Sequence, residues 1–188
     1  GFAEHPNNPE LLFAGSHNKL YVSTNGGENW ISPNWSLPPV AIDDIKIAFP
    51  NNDLVLGSYG RGIIILDNID FLTDVTAKIF HSDSYLFKTR PIQVKQKAEP
   101  NKDLPKYFWH APDPKIGLNI DFYTQKASDV KIELVSDDGI ILFTENLFSL
   151  EGFNRINISP DELRSKPRYI MLYCNDSKHI DQIKFIEE

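Results

Sequence analysis

The chain is poor in cysteine, and no apolar run approaches the roughly 18 residues that a membrane-spanning helix needs. Its one cysteine, Cys174, excludes an internal disulfide, and there is no Cys-x-x-Cys pair for a metal. Because Cys174 ends the apolar run 169–174, we expect a buried, unreactive thiol. The first residues also lack the basic and apolar regions of a signal peptide.

Positive charge is scarce as well. Nineteen Lys and Arg residues stand against 26 Asp and Glu residues, which gives a net charge of −7 with no basic stripe. Nucleic-acid binding needs clustered cations, so this balance argues against it. The five histidines show no His-x-His or His-Glu-x-x-His spacing, and nucleophile-elbow, phosphate-loop and dinucleotide motifs are absent. The sequence therefore predicts no cofactor, no metal and no catalytic residue.

Paired acids for glycoside hydrolysis are also missing. Such chemistry needs two carboxylates that face each other across a cleft. Asp43 and Asp44 are adjacent, as are Asp137 and Asp138, and neighbours on a strand point to opposite faces. These pairs are better interpreted as turn and strand-edge residues.

An internal repeat is present near the start of the chain. Residues 5–16 (His-Pro-Asn-Asn-Pro-Glu-Leu-Leu-Phe-Ala-Gly-Ser) reappear as residues 49–58 (Phe-Pro-Asn-Asn-Asp-Leu-Val-Leu-Gly-Ser). Each copy continues into a second strand-like run, at 19–23 and 62–66. A period of about 40–45 residues with several strands per repeat is typical of propeller blades. Because a propeller needs about 4–8 blades and the repeat covers only residues 1–70, we expect a C-terminal piece of a longer protein.

A glycine-rich turn lies inside the first copy. Residues 23–30 (Ser-Thr-Asn-Gly-Gly-Glu-Asn-Trp) follow a strand-like run and supply residues that tolerate positive φ. The segment resembles the Asp box of BNR-repeat β-propellers: Ser23, Gly27 and Trp30 match the pattern, while Asn25 replaces its aspartate and Asn29 its threonine. Side chains such as Ser23 and Asn25 can cap backbone donors of the turn, and we expect the Trp30 ring to be buried. We interpret the turn as a structural brace.

Residues 53–69 extend the resemblance. They are similar to the signature that closes the last blade in large secreted bacterial BNR-repeat proteins, labelled glycosyl-hydrolase-like or sortilin-like, with Ser58, Tyr59, Ile64 and Asn68 as departures. The resemblance implies a secreted, periplasmic or cell-surface location and upstream blades as partners. An unclosed pair of blades leaves strand edges exposed, so we also predict a homo-oligomeric contact through residues 1–70.

Two places in the sequence are open to a ligand-binding interpretation. Gly60 and Gly62 flank Arg61, next to Tyr59, so the loop can present Arg61 to a carboxylate or phosphate; alternatively Arg61 pairs with an acid such as Asp67. The aromatic cluster 107–110, which includes Trp109, can stack on sugar rings or seal a core or an interface.

The remainder of the chain predicts further strands. Residues 71–115 form a linker and packing segment, with a surface loop at 95–106, and the pattern at 159–163 predicts one helical turn. Alternating apolar residues predict strands at 117–124, 130–135, 140–143, 153–158, 168–174 and 180–186, with a turn at 137–139. This pattern, with Gly-Phe-Asn-Arg at 152–155, resembles the Ig-like or fibronectin-like sandwich that follows the propeller in that family. The sequence therefore predicts an all-β chain: partial propeller blades over 1–70, the linker over 71–115 and a sandwich over 116–188.

Three functions follow from the resemblance. The chain is a non-catalytic module that binds a peptide, a glycan or a protein partner, or it is a structural cap on the propeller. Alternatively, it is the accessory region of a glycoside hydrolase whose catalytic residues lie in upstream blades. Fold analogy alone does not choose among them.

Overall fold

The structure, a computed structural model, describes residues 1–94, 117–159, 163 and 166–187. In these residues the chain is all-β with several antiparallel sheets, which confirms the predicted fold class at this level. Two 3₁₀ helices, Asp70–Asp74 and Ile79–His81, are the only helices of the described residues. The strands are β1 Phe2–His5, β2 Asn8–Gly15, β3 Leu20–Ser23, β4 Ile42–Ala48, β5 Asp53–Ser58, β6 Gly62–Leu66, β7 Ser84–Leu86, β8 Ile92–Val94, β9 Leu118–Thr124, β10 Ser128–Val135, β11 Ile141–Ser149, β12 Gly152–Ile158, β13 Tyr169–Cys174, β14 Ser177–Gln182 and β15 Phe185–Glu187.

The two repeat copies form two antiparallel sheets of the same design. Strands β1, β2 and β3 make the first sheet and β4, β5 and β6 the second, each in sequential order. Apolar residues alternate along the strands, so that Leu54 and Leu56 of β5 are fully buried on one face. The sheets approach closely at Gly15, where a Cβ atom would lie 2.5 Å from the carbonyl oxygen of Ile42. Only glycine fits this contact without a shift of the backbone.

Two further antiparallel sheets and one parallel pair, β15 with β8, contain the remaining strands of the described residues. One has the order β11-β10-β13-β14 and the other the order β12-β9-β7. The predicted turn between β10 and β11 is present, with Gly139 at φ 79° and its amide bonded to the carbonyl of Ser136 at 3.1 Å. Strand β7 belongs to the segment 71–115, and it pairs with β9. The predicted loop at 95–106 lies outside the described residues, as does most of the predicted helical turn at 159–163.

The prediction of a single strand over 180–186 is wrong, because this stretch contains parts of two strands that belong to different sheets. Strand β14 pairs antiparallel with β13, whereas β15 pairs in parallel with β8. The break falls at Ile183, which is fully buried and donates its amide to the carbonyl of Arg168. Lys184 then accepts a hydrogen bond from the amide of Ile92 at 2.8 Å, which starts the parallel pair. Burial of Ile183 thus redirects the chain.

The apolar side chains gather in two cores. The first core unites both repeat sheets with the helix Asp70–Asp74 and with two residues of the second half, Tyr123 of β9 and Phe153 of β12. The second core lies between the sheets β11-β10-β13-β14 and β12-β9-β7, and it contains Phe122 and the buried thiol of Cys174. Strand β9 therefore contributes to both cores, which explains why almost all of its side chains are buried.

Candidate functional site

The turn Ser23–Trp30 is held by its own polar side chains. The Ser23 hydroxyl donates to Asn25 Oδ1 at 2.9 Å and accepts the amide of Gly27 at 2.9 Å. Asn25 Oδ1 also accepts the amide of Asn29 at 3.0 Å. The acceptor role requires only an oxygen at this position, so asparagine can fill the place of an aspartate.

Trp30 differs from the expectation of a buried ring, because the residue is 39% exposed. Its indole Nε1 donates to the carbonyl of Gly27 at 3.1 Å, so the ring lies against the turn itself. The neighbouring residue, Ile31, forms an isolated antiparallel bridge with Val22. The turn thus connects β3 to a short returning segment.

The hairpin between β5 and β6 presents Tyr59 and Arg61 to solvent. Gly60 and Gly62 both have positive φ, and Tyr59 is 79% exposed. In the described part of the chain, Arg61 forms no ion pair with Asp67. Both side chains are therefore accessible, but no described polar residue holds them in place. Trp109 and the rest of its aromatic cluster lie outside the described residues.

Adjacent carboxylates also lie where they cannot cooperate. Asp43 and Asp44 are exposed on β4, at a register irregularity of the pairing with β5. Asp44 Oδ1 is 3.5 Å from Lys46 Nζ, and both side chains are largely exposed.

The described residues hold no group of three or more His, Cys, Asp or Glu side chains that could bind a metal. Neither short helix of the described residues has the length and apolar character of a membrane span.

A buried ion pair within the second half also contacts the end of the repeat region. Asp121 of β9 and Arg155 of β12 are directly opposite in the strand register, with Nε to Oδ1 at 2.7 Å and Nη2 to Oδ2 at 3.0 Å. The same guanidinium donates to the carbonyls of Asp67 and Asn68 at 2.5 and 2.6 Å, just after β6. Burial raises the pKa of the Asp121 carboxyl, and the charge of Arg155 opposes this shift. Arg155 therefore fixes the end of the repeat region to the second half.

A second polar cluster lies on the outer face of the sheet β11-β10-β13-β14. The register aligns Asn146, Lys131, Tyr173 and Lys178 in one row across the four strands. Lys131 Nζ lies 4.3 Å and Lys178 Nζ 5.2 Å from the centre of the Tyr173 ring. We call these four residues the outer row.

Glu133 lies two residues after Lys131 on β10 and holds that lysine of the outer row in place. Lys131 Nζ donates to its carboxylate at 2.8 Å, a contact that lowers the pKa of Glu133 and raises that of Lys131. The Lys131 side chain is 42% exposed and that of Glu133 only 8%. The pair therefore orders Lys131 while its ammonium group still reaches solvent.

Sequence reasoning did not single out the outer row or the Arg155 contacts. The alternation along β10 and β13 did contain a signal, because Lys131 and Tyr173 occupy outward positions between buried residues. Comparison of the chain with protein-family models, with curated proteins and with solved structures found no match.

Proposed function

We propose that this chain is the non-catalytic C-terminal portion of a secreted BNR-repeat propeller protein, and that residues 116–188 form an Ig-like sandwich that caps the last blades. Two features support the blade assignment. Both repeat copies form antiparallel three-stranded sheets in sequential order, and the turn Ser23–Trp30 follows the third strand of the first sheet. The secreted location rests on the sequence resemblance.

The shared first core carries the capping role. Phe153 belongs to β12, yet it is fully buried among residues that precede the second half. Its ring centre lies 6.2 Å from that of Phe71 and 6.1 Å from that of Phe87. Backbone contacts add to this, since the amide of Asn34 donates to the Phe153 carbonyl at 2.8 Å. The sandwich therefore supplies part of the core on which the repeat sheets depend.

The edge of β6 supports upstream blades as partners. Within the described residues, β6 pairs only with β5, so its other edge has free backbone donors and acceptors. Ile63 and Ile65 point away from the core and are 71% and 58% exposed. Two exposed isoleucines beside a free strand edge favour contact with a further strand or sheet.

Hydrogen–deuterium exchange of the Phe153→Ala variant tests the capping role. Truncation of a buried phenylalanine costs about 3–5 kcal/mol because it removes apolar contacts and leaves a cavity. If the second half caps the repeat sheets, β2, β3 and β5 exchange faster in this variant, together with β9 and β12.

Phe148→Ala is the matched control, because Phe148 lies on β11, the strand that precedes β12 in the chain, and is 64% exposed. We expect its exchange pattern to equal that of the unmodified chain. If Phe153→Ala accelerates exchange only in β9 and β12 while the repeat sheets keep their protection, the second half does not cap them and the proposal is wrong.

A further inference from the structure

The outer face of the sheet β11-β10-β13-β14 contains an open depression beside the outer row. Its volume is about 520 Å³. Its lining includes Asp129, Lys131, Asn146, Phe148, Tyr173 and Asn175. Two aromatic rings, two amides, one carboxylate and one ammonium group thus surround the same space. Neither the shared core nor the Arg155 contacts use any of them.

Phe148 supplies the apolar surface of this depression. It is 64% exposed on β11, and Asp129 lies directly opposite it on β10. An exposed aromatic ring beside hydrogen-bonding side chains suits a ligand with an apolar face and polar edges. A pyranose ring has this shape, because its C–H groups form one face and its hydroxyls project around the edge.

The charges of the depression favour a neutral ligand. Lys131 forms an ion pair with Glu133, and the same face carries a second lysine, Lys178, and a second carboxylate, Asp129. These four charges sum to zero, so this face lacks the excess of positive charge that a polyanion requires. Asn146 and Asn175 add amide groups, which can donate to hydroxyls and accept from them.

The outer row is also ordered before any ligand arrives. Tyr173 is flanked by two lysines, and Lys131 is held by Glu133. Side chains that are already fixed lose less conformational entropy on binding. We propose that this depression binds a neutral oligosaccharide: Phe148 stacks against a pyranose ring, and Asp129, Lys131 and Asn146 bind its hydroxyls. This role goes beyond capping and does not depend on it.

NMR titration of the 188-residue chain tests the proposal. The probes are cellohexaose, xylohexaose and chitohexaose, with oligogalacturonate as the anionic comparison, each up to about 5 mM so that a Kd near 1 mM is detected. We expect at least one neutral probe to shift the amide signals of β10, β11 and β13, and oligogalacturonate to bind more weakly.

Two variants locate the site. Phe148→Ala should weaken binding of the same probe by about tenfold or more, which corresponds to about 1.4 kcal/mol. Ile180→Ala changes another exposed apolar residue of the same sheet, 58% exposed and outside the depression, and should leave the Kd unchanged. Phe148→Ala should keep the melting temperature, so a loss of affinity is not a loss of fold.

Three results would overturn the proposal: no shift with any neutral probe, tighter binding of oligogalacturonate than of every neutral probe, or equal affinity of Phe148→Ala and the unmodified chain. None of them bears on capping, which is measured by exchange in the repeat sheets.

Discussion

The ion pair of Arg155 and Asp121 should be strongly coupled, and a double-mutant cycle measures that coupling. Arg155→Met keeps much of the side-chain volume but leaves Asp121, whose side chain is only 9% exposed, without its partner. An uncompensated buried charge costs about 3–5 kcal/mol of unfolding free energy. Loss of the hydrogen bond to the Asp67 carbonyl adds little to this cost, because Asp67 is exposed and water can replace the lost donor.

The double variant Arg155→Met/Asp121→Leu removes both charges. Burial alone raises the pKa of Asp121 in spite of the adjacent guanidinium, so desolvation is a large cost of this pair. Replacing a buried pair by apolar residues of similar volume is often neutral or stabilising. We therefore expect the unfolding free energy of the double variant to lie within about 2 kcal/mol of that of the unmodified chain. This loss is much smaller than the sum of the losses in the two single variants.

Urea unfolding, followed by both circular dichroism and tryptophan fluorescence, gives these free energies if the two transitions coincide. Lys46→Met is the control: it breaks the pair with Asp44, in which both side chains are largely exposed, and should cost less than about 1 kcal/mol. A cost below about 1 kcal/mol for Arg155→Met, or additive effects in the double variant, would refute the reasoning.

Three further outcomes are expected. Asn25→Asp should raise the unfolding free energy by about 1 kcal/mol, because a carboxylate strengthens both hydrogen bonds that the Asn25 oxygen accepts; a lower melting temperature would contradict this. Burial lowers the pKa of both His5 and His179 below the usual 6.5, so their contribution to stability is complete above about pH 6.5 and decreases as the pH falls below it. Urea titrations from pH 7.5 to about 5 check this, and His5→Asn should flatten the dependence. If the free edge of β6 mediates self-association, Ile63→Lys should shift sedimentation toward the monomer, and a monomeric unmodified chain at high concentration would exclude the contact.

Local features of this fold could be predicted from the sequence, because their causes lie within a few residues. The turn Ser23–Trp30 is of this kind, since its side-chain hydrogen bonds span at most four residues. Strands β9 and β10 follow from the alternation of apolar residues. The break at Ile183 was missed because periodicity does not record which buried residue ends a strand.

Contacts between distant residues could not be predicted in the same way. Asp121 and Arg155 are 34 residues apart in the sequence. Asp67, whose carbonyl accepts a hydrogen bond from the Arg155 guanidinium, is 88 residues from Arg155. Their meeting depends on the register of β9 with β12, which no local pattern encodes. The outer row likewise needs the registers of three strand pairs. The alternation along each strand predicts that these side chains point outward, but it does not predict that they are neighbours.

Strand β9 restricts how this chain can change in length. Phe122 faces the second core and Tyr123 the first, so successive residues of one strand serve different halves of the molecule. Deletion of one residue within β9 would exchange the two sets of side chains and disrupt both cores at once. Insertions at the exposed turn 137–139 touch neither core. Among descendants of this sequence, length variation should therefore accumulate at that turn, while β9 can diverge only by substitution.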